Sequence, residues 1–287
     1  MKNLLIATDF SANAKHAAEY GYQLASKLTA DITLCNSFIV PAAVPDAGFV
    51  LWPMYEYDEL TKDSEQELNR LKAALEENHH QTGFNPTIKC INGVGTVTDI
   101  INGIVDRKNI QLVIIGTHSA NGLGQFLVGN HSRAIIDATT VPLLLVPSSA
   151  NSGQIKKVVF AADFKEAEKD LHHVYDLVEL IKPLNAELLI VHIVDEKLQS
   201  PELMKSARSF LSELANNADY PHIYFKTVKS ETAEKGFEWL YEHGQVDILA
   251  MVHRRHSFFE RIFKGSHTQK MAEHIRIPLL VMPSRSN

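Results

Sequence analysis

The stretch LLIATDF at residues 4–10 returns as VVFAADF at residues 158–164. A second stretch, VPLLLVPS at 141–148, returns as IPLLVMPS at 277–284. The two offsets are 158 − 4 = 154 and 277 − 141 = 136, so the second copy lacks about 18 residues in its middle. Repetition in the same order indicates that one structural unit is written twice.

The segment between the two copies is small and polar. It reads SSANSG at 148–153, a composition that is typical of linkers. A chain of 287 residues also has room for two domains of ordinary size. We therefore predict a first domain at residues 1–148, a linker at 149–154 and a second domain at 155–287.

Each copy alternates short apolar runs with segments of helical periodicity. The predicted strands are 4–7, 31–35, 88–91, 112–115 and 143–146 in the first copy, and 158–161, 187–191, 223–228, 248–252 and 279–282 in the second. Ser11 can cap a helix whose apolar face is formed by positions 14, 17, 18, 21, 25 and 28. A corresponding face in the second copy is formed by positions 167, 171, 174, 178 and 181, and Pro201 suits the first turn of another helix. Five strands and four helices in each copy predict a parallel α/β sheet with helices on both faces.

In such a sheet, ligands bind outside the carboxyl ends of the strands, where the strand order reverses. That rule indicates residues 8–9, residues 36–37 after the second strand, and the loop after residue 115. The loop reads GTHSANGLGQFLVGNHS at 116–132, and Gly129 stands just ahead of a predicted helix. Glycines let a backbone approach a phosphate, and the N–H groups at a helix start favour negative charge. The loop is interpreted either as an anion site or as a plain strand-to-helix connection.

With these motifs, the whole chain resembles a tandem universal stress protein, a pair of UspA-type domains. The resemblance is carried by ATDFS at 7–11, GTH at 116–118 and VPLLLVP at 141–147. It implies two flavodoxin-like (adenine nucleotide alpha hydrolase-like) doubly wound domains of class α/β. Each would hold a five-stranded parallel sheet in the order 3-2-1-4-5. It also implies that the two domains pair through their last strands, with a further homodimer left open.

The same resemblance implies a site for an adenine nucleotide, ATP first of all, in the first domain, with Mg²⁺ arriving on the nucleotide. In the ATP-binding branch of the family the loop reads G-x2-G-x9-G-[ST]. Gly116 and Gly129 hold the first and third glycine positions, whereas Ser119 and Asn130 replace the second glycine and the hydroxyl residue. Asp9 would face the ribose or adenine, and the backbone near Ser37 would meet the adenine edge. The full set of expected nucleotide-binding residues is Ala7, Asp9, Ser37, Gly116, His118, Gly129, Asn130, His131 and Ser132.

The second copy departs from that pattern. Val252 and Arg255 stand where glycines belong, although Asp163 and the Gly-Ser pair at 265–266 persist. A phosphate chain could not lie on this backbone as it does in the family's ATP site. The arginines of this loop are interpreted either as a basic anion pocket or as solvated and interdomain charges: Arg254, Arg255 and Arg261.

Composition excludes several other classes of function. The net charge of −6 gives no global reason to bind nucleic acid or an anionic membrane. The sequence holds no 18-residue apolar run, and two cysteines are too few for a disulfide framework, so we expect a cytoplasmic protein. Nucleophile-elbow, Walker A and Rossmann motifs are missing from the sequence. Among the 14 histidines, His253 and His256 have a tolerable spacing for a metal, but no local Cys or carboxylate completes the set.

We therefore expect a non-enzymatic, stress-responsive binding protein that senses a nucleotide in its first domain. The alternatives are a scaffold or interaction protein that has lost nucleotide binding, and a very weak ATPase. The apolar-rich segment at 41–55, within a predicted loop at 41–62, accounts for the length difference between the copies. It is expected to cover the first site as a flap, to contact a partner, or to do both.

Overall fold

The computed structural model describes residues 2–39, 54–78, 83–117, 130–151, 153–194, 201–254 and 276–284. Packing divides the chain into two compact units, Met1–Gly116 and Thr117–Asn287. Within the described ranges, no helix is long and apolar enough to cross a membrane.

Over its described residues, the first unit is a parallel sheet with three helices. Its strands are β1 (Lys2–Ala7), β2 (Ala30–Phe38), β3 (Ile88–Val94) and β4 (Ile110–Gly116). Its helices are α1 (Ala12–Leu28), α2 (Met54–Asn78) and α3 (Val97–Arg107). The strands lie in the order β3-β2-β1-β4, and every described pair is parallel.

The second unit begins with elements of the first copy and contains the whole second copy. Its helices are α4 (Asn130–Ala138), α5 (Ala167–Ile181), α6 (Pro201–Asn217) and α7 (Ala233–His243), with a 3-10 turn at Lys182–Leu184. Its strands are β5 (Leu143–Val146), β6 (Lys157–Ala161), β7 (Glu187–Val194), β8 (Ile223–Lys229), β9 (Ile248–His253) and β10 (Leu279–Pro283). The strand order is β5-β10-β9-β6-β7-β8.

The predicted fold class is confirmed. In the second copy, β8-β7-β6-β9-β10 is the predicted order 3-2-1-4-5, and all its described pairs are parallel. In the first copy, β3-β2-β1-β4 supplies the first four places of that order. Thr117, the residue after β4, donates its backbone N–H to the Val146 oxygen of β5 at 3.0 Å.

The predicted pairing of the two last strands is also confirmed. β5 and β10 are antiparallel, with Leu143, Leu144 and Leu145 opposite residues 281, 280 and 279. All six side chains are at most 2% exposed, so the pairing removes two apolar strand edges from water. Because β5 pairs with β10, packing counts it with the second unit. The domain boundary near residue 150 stays a prediction.

Several predicted boundaries are wrong. β3 and β7 each end three residues later than predicted, and two further differences bear on the site. β2 continues to Phe38, so Asn36 and Ser37 lie inside the strand and not after it. α2 begins at Met54, so the predicted loop at 41–62 is helical from residue 54 onward. The remainder of the apolar-rich segment, at 41–53, lies outside the described residues, as does the place of a fourth helix in the second copy.

The first helix follows from its sequence. Ser11 caps α1, and its hydroxyl accepts a 3.2 Å hydrogen bond from the N–H of Ala14. The predicted apolar face of α1 is buried throughout, and it lies against β1, β2 and β4. The cap fixes where the chain turns from strand to helix, which is the turn that carries Asp9.

Candidate functional site

Three neighbouring strand ends bring together part of the predicted nucleotide site. β1 pairs with β2 on one side and with β4 on the other, and Ala7 lies level with Cys35 and Ile115. The residues that follow Ala7, Cys35 and Ile115 in the chain therefore lie side by side at the carboxyl edge of the sheet: Thr8-Asp9, Asn36-Ser37 and Gly116. Asp9, Ser37 and Gly116, three of the residues expected at the nucleotide site, thus lie at one edge of the sheet.

The turn after β1 is held by its own side chains. Phe10 adopts a left-handed backbone conformation with φ of 63°, which costs free energy for any residue but glycine. Thr8 Oγ1 accepts a 3.0 Å hydrogen bond from the Phe10 N–H, and Asp9 Oδ1 accepts one of 3.0 Å from the Ser11 N–H. Asp9 is exposed, so its carboxylate is fixed at the sheet edge in contact with solvent.

Asn36 connects this turn to the rest of the first unit. Its side-chain amide donates to the backbone oxygen of Thr8 at 2.7 Å, and its Oδ1 accepts from the Ser64 hydroxyl of α2 at 2.9 Å. Asn36 is 7% exposed, so these two hydrogen bonds satisfy a polar side chain that water cannot reach. Asn36 is therefore a structural support of the site and not a ligand-facing group.

The backbone N–H and C=O of Ser37 are directed toward the β1 side of β2. On β2, the oxygen of Cys35 accepts from Thr8 on the β1 side, and the oxygen of Phe38 accepts from Gly95 on the β3 side. Successive residues of a strand direct their backbone groups to alternate edges. The N–H and C=O of Ser37 therefore point to the β1 side, where the strand pairing has ended at Ala7. One donor and one acceptor stand there beside Asp9.

Gly116 has a packing role that the family motif did not reveal. A Cβ at Gly116 would lie 2.6 Å from the backbone oxygen of Asn13 and 3.1 Å from the Cα of Ala14. The start of α1 can approach β4 only because residue 116 lacks a side chain. The next residue, Thr117, is fully buried, and its hydroxyl has no hydrogen-bond partner among the described residues.

The phosphate half of the predicted site is described only in part. His118 and Gly129 lie outside the described residues, and so does Ser119. α4 begins at Asn130, directly after Gly129, as predicted. Asn130, His131 and Ser132 form the first turn of α4, and the structure describes their backbone alone. Among the described residues, no group of three or more His, Cys, Asp or Glu side chains could hold a metal ion.

The second copy repeats the turn with different polar groups. Phe164 is left-handed at φ of 54°, and Asp163 Oδ1 accepts from the Lys165 N–H at 3.1 Å. His192 takes the place of Asn36, since its Nδ1 donates to the Ala162 oxygen at 2.8 Å. Both copies therefore hold the peptide after their first strand with a side chain from the neighbouring strand.

Arg254 fits neither interpretation that the sequence suggested for it. Its side chain is 11% exposed, and its Nη2 lies 2.8 Å from Oδ1 of Asp170 on α5, which is 4% exposed. Arg254 is therefore neither a solvated charge nor available to an anion pocket, because a buried carboxylate already pairs with it. Arg255 and Arg261 lie outside the described residues.

Asp170 is an unusual carboxyl group. Burial raises the pKa of Asp170 to about 7, the Arg254 guanidinium opposes that rise, and the nearby carboxylates of Asp163 and Glu166 add to it. Asp170 is not among the predicted site residues, although the sequence holds a signal for it. The buried positions 17, 18, 21, 25 and 28 of α1 recur 153 residues later at 170, 171, 174, 178 and 181. Asp170 thus occupies the buried place of Ala17.

Comparison with known proteins agrees with this architecture. The sequence model described as the Universal stress protein family matches residues 1–147 and again residues 154–283. Among curated proteins, none matches the chain. Among solved structures, a universal stress protein from Archaeoglobus fulgidus superposes with a TM-score of 0.72 at 17% identity, covering 99% of this chain and 98% of that one.

Two further solved structures share the fold at lower similarity. One is a putative universal stress protein from Pseudomonas aeruginosa, with a TM-score of 0.57 at 11% identity over 99% of this chain and 93% of that one. The other is the cytoplasmic domain of a prokaryotic cation chloride cotransporter, with a TM-score of 0.52 at 10% identity over 99% and 96%. The fold alone therefore does not assign a function.

Proposed function

The chain belongs to the universal stress protein family, and from this premise we propose that its first copy binds one adenine nucleotide, ATP first of all, as a non-enzymatic stress sensor. The observation that carries the proposal is the arrangement of Asp9 and the Ser37 backbone at adjacent ends of β1 and β2. An exposed carboxylate can accept hydrogen bonds from ribose hydroxyls. A backbone N–H and C=O pair in the same plane suits the edge of an adenine ring.

The phosphates would rest on the start of α4. The first N–H groups of a helix have no partner within that helix, and the helix dipole adds partial positive charge there. Asn130 and Ser132, in the first turn of α4, are residue types that can donate hydrogen bonds to phosphate oxygens. Mg²⁺ would arrive on the phosphates and needs few protein ligands of its own.

Gly116 supports this proposal less than the family motif implies. Its missing side chain is already explained by the approach of Asn13 and Ala14. Gly129 is therefore the informative glycine, because it directly precedes α4.

The second copy is proposed not to bind ATP. Val252 takes the place of Gly116, and Arg254, two residues further on, pairs with Asp170. To bind a phosphate, Arg254 would have to give up this contact with Asp170.

Calorimetric titration of the full chain with ATP and Mg²⁺ tests the proposal. Ser119→Gly restores the second glycine of the family loop and should tighten binding, because a Cβ there keeps the backbone N–H groups from a phosphate. Gly129→Val should abolish binding, since a branched side chain would stand at the helix start. Equal affinity of wild type and both variants would contradict the proposal. Conversion of the added ATP to ADP by the protein would instead favour a weak ATPase.

A scaffold function is the second candidate, and one surface of the second copy favours it. Tyr224 of β8 and Trp239 of α7 are 49% and 40% exposed. Lys226 Nζ lies 4.5 Å from the Trp239 ring centroid. Exposed aromatic residues beside a cation are typical of protein–protein contacts. This function would stand alone if the full chain bound no nucleotide.

A further inference from the structure

Two successive residues at the carboxyl end of β9 contact two different helices. His253 Nε2 lies 2.7 Å from Oδ1 of Asp137 on α4. Arg254 Nη2 lies 2.8 Å from Oδ1 of Asp170 on α5. All four residues belong to the second compact unit. One strand end thus holds both the helix that follows the predicted phosphate loop and the first helix of the second copy.

Burial makes one of these contacts rigid. The side chains of Arg254 and Asp170 are 11% and 4% exposed. Separating such a pair would leave an uncompensated charge away from water, which is strongly unfavourable. The backbone at Arg254 is therefore anchored, and His253, its neighbour in the chain and the last residue of β9, is anchored with it.

The other contact acts on α4. Asp137 is the penultimate residue of α4, which spans Asn130–Ala138. A negative charge at the carboxyl end of a helix is opposed by the helix dipole, so this position does not favour Asp for the helix itself. The His253 side chain, 12% exposed, supplies the carboxylate with an N–H donor. The contact fixes the far end of a helix that is only nine residues long.

We propose that the His253–Asp137 contact, anchored by Arg254 and Asp170, is a clamp that positions α4. A nine-residue helix is a stiff rod of about 13 Å, so a shift at Asp137 moves the helix start at Asn130. His253 and Asp137 are positioning residues in this account. The inference rests on the proposed function only in its second test, where ATP reports the position of α4.

The first test needs no ligand. Hydrogen–deuterium exchange of the 130–138 amides is compared between the wild-type full chain and its variants. His253→Ala and Asp137→Ala should each raise the exchange rate of α4 about fivefold, since α4 loses the contact at its far end. Asp137→Asn keeps an acceptor oxygen and should stay within about twofold of wild type. Unchanged exchange in both alanine variants would overturn the clamp.

A matched control is available in the same unit. Lys182 Nζ lies 2.9 Å from Asp219 Oδ2, and both side chains are exposed. Asp219→Ala removes this contact between other elements and should leave α4 exchange unchanged. If Asp219→Ala raised it as much as Asp137→Ala does, the effect would be a general loss of stability and the clamp would be wrong.

The second test measures ATP affinity. His253→Ala should weaken ATP binding about fivefold, at the lower end of coupling between separate sites. The double variant with Asp137→Ala should be no weaker than either single variant, because both remove the same contact. Unchanged affinity would overturn the positioning role. If wild type binds no ATP, the proposed function fails and the exchange experiment alone decides the clamp.

Discussion

The side-chain amide of Asn36 donates a 2.7 Å hydrogen bond to the backbone oxygen of Thr8. This bond crosses from β2 to the turn that carries Asp9, and the second copy makes the equivalent bond with His192. The candidate site therefore depends on a buried polar side chain that does not itself face the ligand. The shape of the site and the stability of the domain are linked through it.

Asn36→Ala should lower the free energy of unfolding by about 2 kcal/mol, because the Thr8 oxygen and the Ser64 hydroxyl both lose a buried partner. Urea denaturation of the full chain measures it. Ser64→Ala is the matched control and should cost about 1 kcal/mol, since it removes one bond and leaves the Thr8 oxygen paired. Equal effects would mean that the bond to Thr8 contributes nothing.

Gly116→Ala should destabilise the chain by about 2 kcal/mol, because the added Cβ meets backbone atoms that cannot move aside as a flexible side chain would. The nearest is the Asn13 oxygen, at 2.6 Å from the new carbon. Gly103→Ala is the control, since Gly103 lies within α3 and a Cβ there meets nothing within 4 Å. Gly103→Ala should raise the free energy of unfolding by up to about 1 kcal/mol, which is the difference in helix propensity between Gly and Ala. If Gly116→Ala left the free energy of unfolding unchanged, α1 would approach β4 less closely than the structure shows.

Asp170→Asn should change how stability depends on pH. Burial raises the pKa of Asp170 to about 7 in the folded chain, above its ordinary value in the unfolded chain. Between these values the folded state binds a proton that the unfolded state has lost, so the free energy of unfolding of wild type falls as pH rises. Asn does not titrate and lacks this slope. The stability of the variant relative to wild type should rise by on the order of 4 kcal/mol between pH 4 and pH 8.

Chemical denaturation at a series of pH values measures this difference. Asp219→Asn is the control of opposite sign, because hydrogen bonding to Lys182 lowers the pKa of Asp219. The stability of Asp219→Asn relative to wild type should not rise with pH. A pH-independent difference between wild type and Asp170→Asn would show that Asp170 is ionised throughout, held so by Arg254.

Sequence predicted the strands well and their polar ends poorly. All ten predicted strands are strands in the structure. The central ones read as continuous apolar stretches because they are covered on both faces of the sheet. Asn36 and Ser37 extend β2 without such a signal. Asn36 is buried through hydrogen bonds to Thr8 and Ser64, and partners 28 residues away cannot be recognised from local pattern.

The candidate site divides in the same way. Asp9 could be placed from the rule on strand ends, and Ser37 lies at the same edge although it belongs to β2 itself. The pairing of Arg254 with Asp170 joins residues 84 apart, so no spacing rule reveals it. The contributions of His118 and Gly129 stay predictions, because both lie outside the described residues.

Counting the ATP bound per full-length chain tests the central claim most directly. We predict one site by calorimetry, lost in Gly129→Val and kept in Gly265→Val, which makes the same change at the corresponding glycine of the second copy. Two sites per chain, none, or loss of binding in Gly265→Val with binding kept in Gly129→Val would contradict the account.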